Sequence, residues 1–420
     1  MRKKIATQFI LLTFIIFSLC HPLVALAEST DSITTPSGIP LSELEEFVDD
    51  YVAEFIGKST AGASIIILKN GEIHLNKTYG YGDIENGVKV DAETVFEWGS
   101  DSKLLVWTSI MQLVKQGKLD LYADIRTYLP ENFFTKLQFD SPITIYNLMH
   151  HNAGWEDCFT DLFYHSAEDV LSLEETLRIT EPKQVNEPGT VVAYSNYGTA
   201  LAGYIVERVS DQPFYEYVIE HIFAVLGMKD TSIHPYQEDN ASVAERREKI
   251  HGYTTSGNEL SISKNERIFL GLYPAGSAIG TADDGAKFLA SLVPLEGETS
   301  PLFESNDTLD EMLSTSHSYG KGFPGISHGF WEKFNEVKTL GHGGNTDSFS
   351  SYFTIAPEVG FGIVVMTNQA NETGLCTGLA KALFGEYSPE YTGELPDAHE
   401  LEGPYIIARR PYSGFSNLIP

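Results

Sequence analysis

Glu97-Trp98-Gly99-Ser100-Asp101-Ser102-Lys103 decides the fold, because it joins a strand-like run to the start of a helix and carries a Ser-x-x-Lys pair across the junction. Val95, Phe96 and Trp98 supply an apolar, aromatic extended segment, and Gly99 punctuates its end. From Lys103 to Gln116, the residues Leu104, Leu105, Trp107, Ile110, Met111 and Val114 recur with helical spacing. Ser100 therefore stands at a helix N-terminus, where unpaired backbone N–H groups and the positive end of the helix dipole favour developing negative charge. Lys103, three residues on, falls on the same helix face.

The string alone is weakly specific, since Ser-x-x-Lys occurs three times, at Ser100–Lys103, Ser261–Lys264 and Ser318–Lys321. The second copy sits among Asn258, Glu259, Asn265 and Glu266, and the third beside Gly320 and Gly322, so both read as loops. A plain N-cap accounts for Ser100 as well, but leaves Lys103 without a role. Two further motifs separate these readings. Tyr194-Ser195-Asn196 is the sole Tyr-x-Asn in the chain and precedes the helical pattern of Leu201, Ile205 and Val209. His342-Gly343-Gly344 is the sole His-x-Gly and is expected just before a β-hairpin-like stretch.

The ordered trio Ser100–Lys103, Tyr194–Asn196 and His342–Gly344 resembles the serine β-lactamase and DD-peptidase superfamily, in the branch similar to class C β-lactamases, with esterase and D-aminopeptidase relatives. Met111 to Leu121, Ile143-Thr144-Ile145 leading to His151-Asn152-Ala153-Gly154, Pro188-Gly189 and Leu226-Gly227-Met228 extend the likeness over roughly Leu41 to Glu386. The resemblance implies a mixed α+β fold, with an antiparallel sheet flanked by N- and C-terminal helices and an inserted, mostly helical subdomain. It also implies that Ser100 is the nucleophile. A serine hydroxyl needs a base as it attacks a carbonyl, and Lys103 serves only when neutral, which requires desolvation and neighbouring positive charge. Tyr194 would relay or accept the proton, its phenolate favoured by nearby Lys103, and the two are treated as a coupled pair. Asn196 would orient Lys103 or a substrate amide, and the backbone N–H groups of Ser100 and Asn345 would form the oxyanion hole.

Where β-lactamases carry Lys-Thr-Gly, this chain has His342-Gly343-Gly344 and no Lys-Thr-Gly at all. A mostly neutral imidazole is a poorer partner for a substrate carboxylate than a lysine, so the esterase, peptidase and D-aminopeptidase branch is favoured. A turn residue beside two glycines is the bland alternative for His342. The expected function is a secreted serine hydrolase acting through an acyl-enzyme on an ester, peptide or D-amino-acid amide, peptidoglycan stem peptides included. A β-lactamase or DD-carboxypeptidase proper, and a non-catalytic penicillin- or peptide-binding sensor, stand as alternatives.

The rest of the sequence bounds this reading. Arg2, Lys3 and Lys4 precede an apolar run from Ile5 to about Leu19, and Ala25-Leu26-Ala27 offers a cleavage site, so a signal peptide over residues 1–27 is expected, with an N-terminal membrane anchor as the alternative. The net charge of −30 argues against nucleic-acid partners. His150 and His151 are adjacent and belong to no metal-ligand string, and no phosphate loop is present, so neither metal nor nucleotide cofactor is expected. Cys158 and Cys376 leave a single disulfide open. The hydrolase domain is expected over 28–387, with 100–313 largely helical. Its sheet half is expected to begin with a helix from Ser42 to Ile56 capped by Ser42. Strands Ala63–Leu68 and Ile73–Tyr79 follow around an Asn70-Gly71 turn, and the sheet is expected to resume with Ser350–Ile355 and Phe361–Thr367. The pocket walls are expected from Cys158–Ser172, His234–Arg267 and Leu302–Lys333. Residues 388–420, broken by Pro396, Pro404 and Arg409-Arg410-Pro411, carry no assignment.

Overall fold

The computed structural model describes residues 34–157, 163–257, 259–263, 268–320, 322–387, 399 and 402–412. Its centre is an eight-stranded sheet, antiparallel at every pairing, in the order Ile326–Ser327, Phe330–Phe334, Lys338–Asn345, Ser350–Ala356, Phe361–Thr367, Gly62–Lys69, Glu72–Asp83 and Val88–Lys89. The expected hairpin about Asn70-Gly71 pairs the strands Gly62–Lys69 and Glu72–Asp83, with a register shift between Ile67 and Leu68. Successive strand residues point to opposite faces, and here both faces are covered. Ile65, Ile67, Ile363 and Val365 pack against Leu44, Val48 and Val52 of the helix Leu44–Ala53, and against Leu379 and Leu383 of the helix Cys376–Phe384. Ile66, Leu68, Val364 and Met366 face the larger core, which includes Leu104 and Met111 of the helix Lys103–Lys115 and Leu289 of the helix Ala282–Leu292. Two-sided burial explains why Ile65 to Leu68 reads as a continuous apolar run. Each such side chain contributes roughly 1.5–3 kcal/mol.

Helices dominate the connection between the two parts of the sheet, among them Asn196–Ser210 and the continuous helical segment from Phe214 to Leu226, whose middle turn is π-helical. The fold is thus the mixed α+β arrangement of antiparallel sheet, terminal helices and helical insertion that the sequence implied.

Several local expectations change. Ser42 does not cap the first helix. It lies inside a 3-10 turn, Leu41–Glu43, closed by Glu43 N–H donating to Pro40 O at 2.9 Å, so its hydroxyl is not at the helix boundary. The sheet resumes before Ser350, because Ile326–Ser327, Phe330–Phe334 and Lys338–Asn345 are strands. His342 accordingly lies within a strand rather than ahead of a hairpin. Ser261 is not in a loop: it sits exposed on the strand Glu259–Ile262, its Oγ 3.3 Å from Thr254 Oγ1. Ser318 lies in irregular chain, and Lys264 and Lys321 fall outside the described residues. So does Cys158, whereas Cys376 is a buried free thiol. The expected signal segment, residues 1–27, also lies outside them.

Candidate active site

Ser100 sits in a 3-10 turn, Gly99–Ser102, that runs directly into the helix Lys103–Lys115. It is not an N-cap, since Trp98 occupies that place before the turn and no side chain caps either segment. Ser102 fixes the turn instead, with its Oγ donating to Gly99 O at 2.6 Å and accepting from Ala278 N–H at 3.0 Å.

The turn is pressed against the end of the strand Lys338–Asn345, and two glycines permit the approach. Gly99 has φ +49°, and a Cβ there would lie 2.8 Å from Asn345 N. A Cβ on Gly344 would lie 1.9 Å from Trp98 O. Any side chain at Gly344 would push apart the seam that brings Asn345 beside Ser100. Gly343 is less constrained, its nearest neighbour being Tyr352 at 3.4 Å.

Helix geometry brings Lys103 back under Ser100, with Nζ 3.0 Å from Ser100 Oγ, and Lys103 also donates to Ala275 O at 2.5 Å. The side chain is fully buried. That burial, aided by the positive charge of Arg409, holds the Lys103 ammonium well below its ordinary pKa, while the Asp101 carboxyl acts in the opposite sense. Asp101 is itself completely buried, with Ser351 Oγ 2.6 Å from its Oδ2, and burial raises it well above the usual carboxylate range. Its opposition to Lys103 neutrality is therefore weakened.

From the other side, Tyr194 OH donates to Ser100 Oγ at 2.8 Å. Its ring packs against His151, Trp331 and His342, at centroid distances of 4.6, 6.4 and 5.8 Å. Burial pushes the phenol well above its ordinary pKa, against the lowering effects of Ser100 and Arg409. Desolvation thus works against the phenolate expected from the sequence, and the same burial disfavours the charged form of Lys103. Ser195 caps the helix Asn196–Ser210, its Oγ accepting from Gly198 N–H, while Ser195 N–H donates to His151 Nδ1 at 3.3 Å. His151 takes a left-handed φ of +52° just past the helix Ile145–Met149, and His150 turns instead to Ser316, its Nε2 2.7 Å from the Oγ.

The remaining candidates divide. Asn196 and Asn345 line the same cleft as Ser100, a cavity of about 540 Å³. His342 does not line it. The ring is buried, Nδ1 lies 2.7 Å from Gly343 O and takes the donor role there, and burial lowers its pKa to about 3. It is a neutral buttress behind Tyr194 and no receptor for an anion. Of the expected walls, Phe163, Pro235, Gln237 and Arg247 contribute, but none of the described residues of Leu302–Lys333 does. Among the described residues, no group of three His, Cys, Asp or Glu side chains is gathered as a metal site.

Sequence reading missed Arg409. It lines the cleft, with its guanidinium carbon 4.9 Å from the Tyr194 ring centre and its Nε donating to Asp157 Oδ2 at 2.6 Å. The available signal was a cationic Arg409-Arg410 pair near the end of a strongly acidic chain.

The antiparallel sheet, the helical insertion and the Ser100–Lys103–Tyr194 cluster together match the β-lactamase/transpeptidase-like arrangement. A family model described as Beta-lactamase matches residues 45–382, and the chain belongs to that family. It is 26% identical over 313 residues to Protein flp of Staphylococcus aureus (strain MW2), an alignment covering 74% of this chain and 60% of that protein. The chain thus spans about three-fifths of the length of that curated relative. In structure it is similar to the octameric penicillin-binding protein homologue from Pyrococcus abyssi, with TM-score 0.66, 24% identity and coverage of 83% of this chain and 78% of that one. It is also similar to the D-amino acid amidase of Ochrobactrum anthropi SV3, with TM-score 0.64, 23% identity and coverage of 82% and 96%.

Proposed function

We propose that this chain is an extracytoplasmic serine hydrolase that forms an acyl-enzyme at Ser100 on an ester, peptide or D-amino-acid amide, peptidoglycan stem peptides included. The observation that carries the reading is Ser100 Oγ held between Tyr194 OH at 2.8 Å and Lys103 Nζ at 3.0 Å. Family membership and the likeness to a D-amino acid amidase agree with it. The extracytoplasmic placement rests on the basic, apolar and small-residue segments of residues 1–27.

The geometry supports one sequence of proton movements. Neutral Lys103 offers its lone pair to the Ser100 hydroxyl as Oγ attacks the substrate carbonyl. The oxyanion that forms is met by the backbone N–H groups of Ser100 and Asn345, whose strand end is seamed to the Ser100 turn. Losing such a donor costs on the order of 3 kcal/mol in barrier height. Tyr194, a neutral phenol bonded to Oγ, then hands its proton to the departing nitrogen or oxygen and is reprotonated from Lys103. The Oγ–carbonyl bond has formed, the bond to the leaving group has broken, the leaving group carries the proton that Tyr194 gave up, and the serine proton, passed on by Lys103, sits on Tyr194. Water hydrolyses the resulting ester.

Intact-mass spectrometry after exposure to a fluorophosphonate tests the reading. One adduct is expected on the wild type and on Ser261→Ala and Ser318→Ala, and none on Ser100→Ala. An adduct on a correctly folded Ser100→Ala protein would remove the proposed nucleophile.

A further inference from the structure

His342 leaves the cleft without the cation that its Lys-Thr-Gly counterpart would supply, yet the segment 402–412 brings another. This strap is tied to the chain just after Trp155. Arg409 Nε donates to Asp157 Oδ2 at 2.6 Å, Asp157 N–H to Arg410 O at 3.2 Å, and Tyr412 N–H to Glu156 Oε2 at 2.5 Å. Arg410 lies over the Tyr412 ring, 4.4 Å from its centre. The effect is to place the Arg409 guanidinium over the ring of Tyr194 and on the wall of the cavity that contains Ser100.

The two arginines of that wall differ in what they have left to offer. Arg247 is spent: Nε and Nη2 donate to Glu97 Oε1, Nη1 donates to Ile250 O, and its side chain is 11% exposed. Arg409 is bound through Nε alone. Among the described residues its two terminal nitrogens hold no hydrogen bond, and its side chain is 41% exposed. A planar guanidinium with two free N–H-bearing nitrogens matches a carboxylate in fork geometry. Its anchor, Asp157, is 6% exposed, so the ion pair holds the guanidinium through Nε at the wall of the cleft that Arg409 lines.

We propose that Arg409 is the specificity-determining residue of this cleft and receives a carboxylate carried on the leaving-group side of the scissile bond. The substrates it selects are acyl derivatives whose leaving group ends in a free carboxylate. The proposal rests on the Ser100 hydrolase reading and adds its substrate class. It also gives residues 402–412 a part in the active site. Arg409 holds the anion while Ser100 attacks, so it acts on binding and orientation, and the covalent step is unchanged.

The test uses two thioesters of one N-acyl-D-alanine, one made with thioglycolate, which leaves a free carboxylate, and the other with thioglycolamide, which is neutral. Thiol release is followed for the full chain, Ser100→Ala, Arg409→Gln and Arg409→Lys, with fluorophosphonate labelling in parallel. The expected result is Ser100-dependent release with kcat/KM at least tenfold higher for the carboxylate probe. Arg409→Gln should collapse that ratio toward one, and Arg409→Lys should restore most of it. Ser100-dependent release with no carboxylate preference, a preference that survives in Arg409→Gln, or a Ser100 adduct with fluorophosphonate but no release from the carboxylate probe overturns the Arg409 inference alone. Absence of any Ser100-dependent adduct or release overturns the hydrolase reading and the inference with it.

Discussion

The seam around Ser100 and the strap around Arg409 meet on one cleft but are built in opposite ways. The seam is closed by backbone, with Gly99 against Asn345 and Gly344 against Trp98, and its ionisable members Lys103 and Asp101 have no solvent exposure. The strap is held by a few polar contacts to Glu156 and Asp157, and Arg409 keeps much of its side chain in water. Burial is what turns a lysine into a base, because desolvation disfavours its charged form. Partial exposure is what leaves a guanidinium able to exchange water for a ligand. The comparison teaches that this cleft divides its labour by depth, with proton transfer at the dry floor and recognition at the wet rim.

If that division holds, changes at the floor should act on chemistry and by large factors. Lys103→Met, which keeps the buried stem and removes the amine, is expected to lower the acylation rate by about 10²- to 10⁴-fold with little change in KM. Stopped-flow or quenched single-turnover kinetics would check this, and a rate within twofold of wild type would break the contrast between floor and rim. Gly344→Ala should have a mixed effect. Its Cβ would lie 1.9 Å from Trp98 O, so the seam must open. A loss of about 1–3 kcal/mol in unfolding free energy is expected, together with slower acylation as Asn345 moves from Ser100. A variant with unchanged chemical denaturation and rate would show that the seam is not tight.

What the sequence disclosed follows the same line. Ser100, Lys103 and Tyr194 were legible because their spacing is local: a helix face carries Lys103 back under Ser100, and Tyr194 stands at the start of another helix. The covered sheet was legible in the unbroken run Ile65 to Leu68. The strand holding His342 was not, because Gly341, Gly343 and Gly344 hide a strand pattern. Gly341 and Gly344 are needed where Phe353 O and Trp98 O come close, which only the assembled register determines. The edge strands between Ile326 and Phe334 were hidden in the same way by Gly322, Pro324, Gly325 and Gly329. His342 packs against Tyr194 rather than lining the cleft, and its role depends on burial, which leaves it neutral behind that ring. Arg409 was less legible, since its cationic pair with Arg410 does not announce that a proline-broken segment returns more than two hundred residues later to Asp157.

The central claim is that Lys103 acts as a neutral base, and the most direct measurement is the pH profile of Ser100 acylation by an uncharged thioester, in wild type and in Arg409→Gln. The rate requires unprotonated Lys103, so it is present above the folded pKa of that group and lost as pH falls through it. Asp101, His151, Tyr194, His342 and Arg409 surround the amine. His342, with its pKa lowered to about 3, and His151, also held well below its ordinary value, should add no limb near 6.5. The predicted wild-type profile reaches its plateau well below pH 10.5, the ordinary lysine value. In Arg409→Gln the acid limb moves to higher pH, because a positive neighbour of Lys103 has gone. A rate that keeps climbing through the ordinary lysine range in wild type would contradict the neutral-lysine mechanism.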